Sequence, residues 1–151
     1  MSRETYIEAR NKKTEQTLEL YWTGADSAQV LAECFERDED EKWVGSSEEF
    51  FNHIRRGFNE HIRKCQEEVD DIESHVARLK ELVSNAKTVE VANNFYDEMT
   101  SFDRDLKEAK ERVEHYKSML KSLTVISGLS FLEPDYGEDE CDWEVIVTYS
   151  Y

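Results

Sequence analysis

Between Ile62 and Leu123 the apolar residues of this chain return at alternating steps of three and four. A first run reads Ile62, Cys65, Val69, Ile72, Val76, Leu79, Val83, Ala86. A second reads Ala92, Phe95, Met99, Phe102, Leu106, Ala109, Val113, Tyr116, Leu120, Leu123. Glu, Asp, Lys and Arg fill most positions between them. That pattern predicts a left-handed coiled coil, in which a narrow apolar stripe on one helix packs against another helix. The two runs do not share a register. Continuing the first would bring Glu90 and Asn93 into the seam, where the second uses Ala92 and Phe95; the offset of two matches neither a stutter nor a stammer. A break near Ser84-Asn85-Ala86-Lys87-Thr88 follows, with Thr88 as a helix cap. Either a rod continues past the break or a tight turn folds the helices into an antiparallel hairpin. No glycine or proline marks a sharp turn there, which favours the interrupted rod. Unbroken, residues 47–123 would span about 115 Å at the helical rise.

The flanks have other periods. Ser46-Ser47-Glu48-Glu49 reads as a capping box that starts the first helix. Phe50, Phe51, Ile54, Phe58 and Ile62 then form a stripe too bulky for a two-helix seam, as at a junction of several helices. Over 1–45, Tyr6, Ile7, Leu18, Leu20, Tyr21 and Trp22 suggest one or two short helices. Asp26 or Ser27 caps another, with Val30, Leu31, Cys34 and Phe35 on its buried side, before the acidic stretch Glu36–Glu41 and Gly45. At the other end, residues 125–132 and 143–151 read as two strands joined by the turn 133–140, with Trp143, Val145, Val147, Tyr149 and Tyr151 on one face. An isolated hairpin is marginal in water, so strands from a partner are expected to complete it. The predicted fold is therefore mainly α. Short helices and an acidic linker occupy 1–45, a long coiled coil broken near 84–90 occupies 46–123, and a small C-terminal β-hairpin occupies 124–151 as a reduced α/β head.

Composition sharpens this picture. In 151 residues, 38% are hydrophobic, 36% are charged and one is proline, a profile of long helices more than of one thick core. The net charge of −16 argues against direct nucleic-acid binding, which depends on Lys and Arg neutralising phosphates; the densest basic pair is Arg55-Arg56. Cys34, Cys65 and Cys141 are widely spaced, which points to a reducing compartment and away from structural zinc. With no apolar leader and no stretch near the length of a membrane span, the expected location is the cytoplasm or nucleus.

Catalytic and cofactor signatures are absent from the sequence. His53, His61, His75 and His115 all fall in predicted helix, and His61 with Cys65 offers two metal ligands where a site needs more. There is no phosphate-binding glycine loop, nucleophile elbow or His-Glu-x-x-His. The expectation is a protein that is not an enzyme and takes no metal or cofactor. The acidic cluster Glu133, Asp135, Glu138, Asp139, Glu140, Asp142 and Glu144 reads as a solvated turn, or more sharply as a docking patch for a basic segment.

The stretch Tyr116–Leu123 feeding Thr124–Phe131, followed by the Trp143–Tyr151 strand, resembles the small coiled-coil subunits of the outer-kinetochore microtubule-attachment complex, and more loosely the monopolin-type proteins. In these a long helix runs into a small α/β head of the RWD type. The resemblance covers the last third of the chain plus the coiled coil, and it departs where the family head continues with more strands and a final helix. It implies a non-catalytic scaffold, at the kinetochore, linking chromosomes to spindle microtubules through a heteromeric coiled coil. The partner is then another coiled-coil subunit, with neither nucleic acid nor membrane bound directly. The partner-binding residues are Ile62, Cys65, Val69, Ile72, Val76, Leu79, Val83, Phe95, Met99, Phe102, Leu106, Val113, Tyr116 and Leu120 in the seam, with Trp143, Val145, Val147 and Tyr149 in the head. The alternative is a small acidic inhibitor whose carboxylates imitate a nucleic-acid backbone.

Overall fold

Thr5, Ile7 and Ala9 are fully buried and alternate with Glu4, Tyr6, Glu8 and Arg10. This period of two makes strand β1, Glu4–Asn11. In the computed structural model, which describes residues 3–37, 41–133 and 141–150, β1 turns at Asn11, whose side chain accepts the N–H groups of Lys13 and Thr14. Glu15 closes the turn with a positive φ of 63°. Strand β2, Thr17–Gly24, then returns antiparallel to β1. Helix α1, Ala25–Glu33, follows directly, with Gly24 at its N-cap and no side-chain cap. A short β3, Lys42–Gly45, leads into α2, Ser47–Ser84; α3 is Val89–Ser127, a single 3₁₀ turn covers Ser130–Leu132, and β4 is Trp143–Ser150.

Two compact units result. One comprises Met1–Glu60 with Ser118–Tyr151, the other His61–Lys117, and α2 and α3 each run from one into the other. The first unit contains a four-stranded antiparallel sheet in the order β2-β1-β4-β3. Register places Thr5, Ile7 and Ala9 beside Tyr149, Val147 and Val145, and Val147 beside Trp43, so one face collects the apolar side chains. Helix α1 packs there: the Thr5 hydroxyl donates to the Ala28 carbonyl at 2.7 Å, and Ala28 and Ala32 contact Tyr149. Phe50, Ile54 and Phe58 on α2 are fully buried at helical spacing, each burial contributing about 1.5–3 kcal/mol. The Trp43 ring lies 4.9 Å from Phe35 and 6.4 Å from Phe50.

Both predicted helix starts carry their caps. Ser46 and Glu49 form the reciprocal box, each side chain accepting the other's backbone N–H, at 3.2 and 3.3 Å. The Thr88 hydroxyl accepts the Val91 N–H at 3.2 Å. Elsewhere the structure corrects the sequence reading. Residues 4–11 and 17–24 are strands; the helix predicted from Asp26 or Ser27 is present, beginning at Ala25. Residues 125–127 belong to α3: Leu123 and Ile126 continue the buried helical spacing of Tyr116 and Met119, and Val125 is 64% exposed. The strands that complete β4 come from within the chain, with β1 on one side and β3 on the other.

The interrupted rod is also corrected. Glu68 meets Arg112, Glu73 meets Lys110 and His75 stacks on Phe102, so the two helices run antiparallel as a hairpin. Chain geometry demands the return. Twenty residues link Leu123 to Trp143 and reach at most about 70 Å fully extended, short of the roughly 115 Å a rod would open between the strands it must pair.

Gly57 on α2 sits where a Cβ would lie 2.4 Å from the Cys34 sulfur and 2.9 Å from its Cβ. Gly57→Ala should therefore lower the stability of the fold by about 1–3 kcal/mol, net of the helix propensity that alanine adds. Gly128→Ala, which meets nothing closer than 3.6 Å, should be near neutral; thermal unfolding of the two variants makes the comparison.

Candidate protein-docking surfaces

The hairpin unit shows what holds its helices together and what they leave bare. Cys65, Val69, Leu79, Ala109, Val113 and Tyr116 are buried. Ile62, Ile72, Val76, Val83, Phe95, Met99, Phe102 and Leu106 are half-buried. The rings of His61 and Tyr116 meet edge to face at 4.5 Å, and those of His75 and Phe102 stack at 5.7 Å. Glu68–Arg112 at 2.7 Å and Glu73–Lys110 at 3.4 Å bridge the helices from outside. These pairs are exposed and contribute well under about 1 kcal/mol each. The seam positions are thus those read from the sequence, and within this chain they face one another.

The remaining predicted positions lie in the first unit. Leu120 and Trp143 are half-buried, and Val145, Val147 and Tyr149 sit in the interior of the sheet. Phe131 packs edge-on against Trp143 at 5.2 Å. Of the acidic turn, Asp135, Glu138, Asp139 and Glu140 lie outside the described residues, as do Asp38, Glu39 and Asp40 of the linker. Asp142 pairs with Lys13, and Glu144 with Arg10.

Sequence reasoning missed the apolar residues beside the seam at the turn end of the hairpin. Val89 is 76% exposed, Tyr96 52%, Val91 42% and Leu82 36%. Val89 and Tyr96 are seven residues apart, so they share one flank of α3. Here the exposed apolar positions extend from the seam to the positions that flank it. The signal was present as Val89, Val91 and Tyr96 clustered around the register break.

A second exposed patch lies on the sheet. Among the described residues the face opposite α1 carries Tyr6, Trp22 and Val44, with Val44 42% and Trp22 50% exposed, beside Ile146, which is buried at 7%. Tyr6 lies across from Trp22, and Glu8 across from Glu19. The Tyr6 hydroxyl donates to Glu4 at 2.6 Å. That bond, then burial and the Glu4 charge, push the phenol above its ordinary range; the Trp22 indole opposes the rise and Glu19 adds to it.

The chemistry elsewhere is quiet. Burial, with Glu33 adjacent, pushes the Cys34 thiol up to about 12. Burial likewise raises Cys65, as Glu68 also does, while Arg112 lowers it. Both shifts disfavour the thiolate, the form that acts as nucleophile or metal ligand. Among the described residues no three His, Cys, Asp or Glu side chains group as metal ligands, and no helix is long and apolar enough to cross a membrane. No protein-family model matches the chain, and neither does any curated protein or solved structure.

Because the seam is filled from within, Val69→Glu should disrupt the isolated chain. Burying an unpaired carboxylate at this 4%-exposed position costs about 3 kcal/mol. Circular dichroism should show a lower unfolding midpoint for helix without any partner present. An unchanged midpoint would mean that the seam is vacant until a partner fills it.

Proposed function

We propose that this chain is a non-catalytic protein-binding subunit whose helical hairpin holds a helical segment of another protein at its turn end. The observation that carries the reading is the cluster Leu82, Val89, Val91 and Tyr96, exposed on both flanks of a seam that is otherwise edged with charge. Four large apolar side chains this exposed at one end of a helix pair are the kind of surface that interaction sites use. The outer-kinetochore setting suggested by the sequence resemblance belongs to this reading as its candidate assembly, and a long helical pair continuous with a small α/β unit supports it. The sister head expected to complete the sheet drops out, since residues 4–11 and 42–45 already flank β4.

The acidic-inhibitor reading has its own support in the distribution of charge. The hairpin residues 61–117 carry 14 acidic and 10 basic side chains, against 21 and 9 in the rest of the chain. A surface acting by charge alone binds by screened attraction, whereas an apolar contact at the hairpin turn does not.

Affinity purification of the tagged full chain from its own cells separates the two. Under the subunit reading a stoichiometric partner survives a wash at about 1 M salt, where screening acts over about 3 Å, and is lost from Val89→Glu/Tyr96→Glu with helix content unchanged. A partner that washes off in salt yet stays with that variant establishes the acidic-inhibitor reading instead.

A further inference from the structure

Among the described residues, one corner of the sheet combines an edge with no further strand on it, an aromatic platform and carboxylates that no cation pairs. β2 is an edge strand eight residues long. It contains neither lysine nor proline, the usual protections of such an edge, and is interrupted only by the bulge that leaves Leu20 without a partner on β1. On the uncovered face the half-exposed Trp22 sits across from Tyr6, and Glu4, Glu8 and Glu19 surround them. Glu8 and Glu19 are directly opposed, an arrangement that destabilises a sheet unless a cation comes between them. Among the described residues no cation pairs with Glu4, Glu8 or Glu19. Arg10 is committed to Glu144, and Lys42 lies two strands away on β3.

We propose that β2 and this corner form a second docking surface, distinct from the hairpin turn, for an extended basic segment of a partner protein. The segment adds to the sheet along Thr17–Gly24, its backbone pairing with β2. Lys or Arg side chains on its alternate positions enter the space between Glu8 and Glu19 and lie over the Trp22 ring, where the ring quadrupole and the carboxylates attract the same charge. An acidic or purely apolar segment meets repulsion or no reward at this corner, so charge complementarity selects the occupant. The surface is independent of the hairpin reading, which stands or falls on other residues.

A labelled ten-residue peptide alternating Lys and Val, titrated with the full chain by fluorescence anisotropy, is the test, beside a peptide alternating Glu and Val. Attraction to a chain of net charge −16 is general, so the control removes two charges elsewhere. Glu8→Gln/Glu19→Gln and Trp22→Ala should each weaken the Lys-Val peptide about tenfold, as the loss of a desolvated ionic or cation–π contact does. Asp103→Asn/Glu111→Gln should change it less than about twofold, as exposed charges do. On the unaltered chain, hydrogen exchange should slow at the β2 amides when the peptide binds. Equal weakening by the two paired variants, equal binding of the Glu-Val peptide, or protection at β3 with none at β2 would each overturn the proposal.

Discussion

The pairing of β4 with β1 is the interaction from which the rest of the architecture follows. Ala9, Ile7 and Thr5 meet Val145, Val147 and Tyr149 in register, placing the last described strand at the centre of the sheet between the first strand and β3. Everything from Ser46 to Asp142 must then leave the sheet and come back to it. Two helices of 38 and 39 residues satisfy that requirement only by doubling back. Residues Asn85–Thr88 make the turn with no glycine or proline, using the Thr88 cap to start the second helix. The same pairing removes the need for strands from outside and leaves β2 as the long open edge.

Local chemistry was legible in the sequence, and long-range pairing was not. The capping box at Ser46 and Glu49, the cap at Thr88 and the strand from Trp143 rest on neighbours within a few residues, and the structure has each of them. β1 was missed because its buried face is built of Thr5, Ile7 and Ala9, two of which are small or polar, so the alternation hardly registers as hydrophobic. The last turn of α3 reads as a strand in the sequence because Val125 and Ile126 favour one, although Leu123 and Ile126 keep the helical spacing. The spacing of the seam residues predicts one side of a helix pair, but a heptad pattern states only that a facing helix exists. Whether that helix belongs to the same chain is decided by the strands, far away in sequence. The aromatic corner at Trp22 was invisible for the same reason, since it exists only through the register of β1 against β2.

The charge of the molecule and its exposed apolar groups divide between the units. Most of the net negative charge belongs to the unit that holds the sheet. The exposed large apolar side chains are shared, with Leu18, Trp22, Val44 and Val125 in that unit and Leu82, Val89, Val91 and Tyr96 at the turn end of the hairpin. Surface carboxylates disfavour association with other acidic molecules. On the proposed reading this distribution suits a subunit, because its core and its proposed contact surfaces use different residues. Substitutions at the contact surfaces can then alter binding without unfolding the sheet.

The direct test of the account is a distance within the isolated chain. Spin labels at positions 73 and 110, placed in a background with the three native cysteines replaced, should lie within about 20 Å of each other by pulsed dipolar spectroscopy. That is the reach of two labels on neighbouring helices of a hairpin. A separation near 55 Å, the helical rise over the intervening residues, would mean a straight rod and contradict both the hairpin and the strand pairing that requires it.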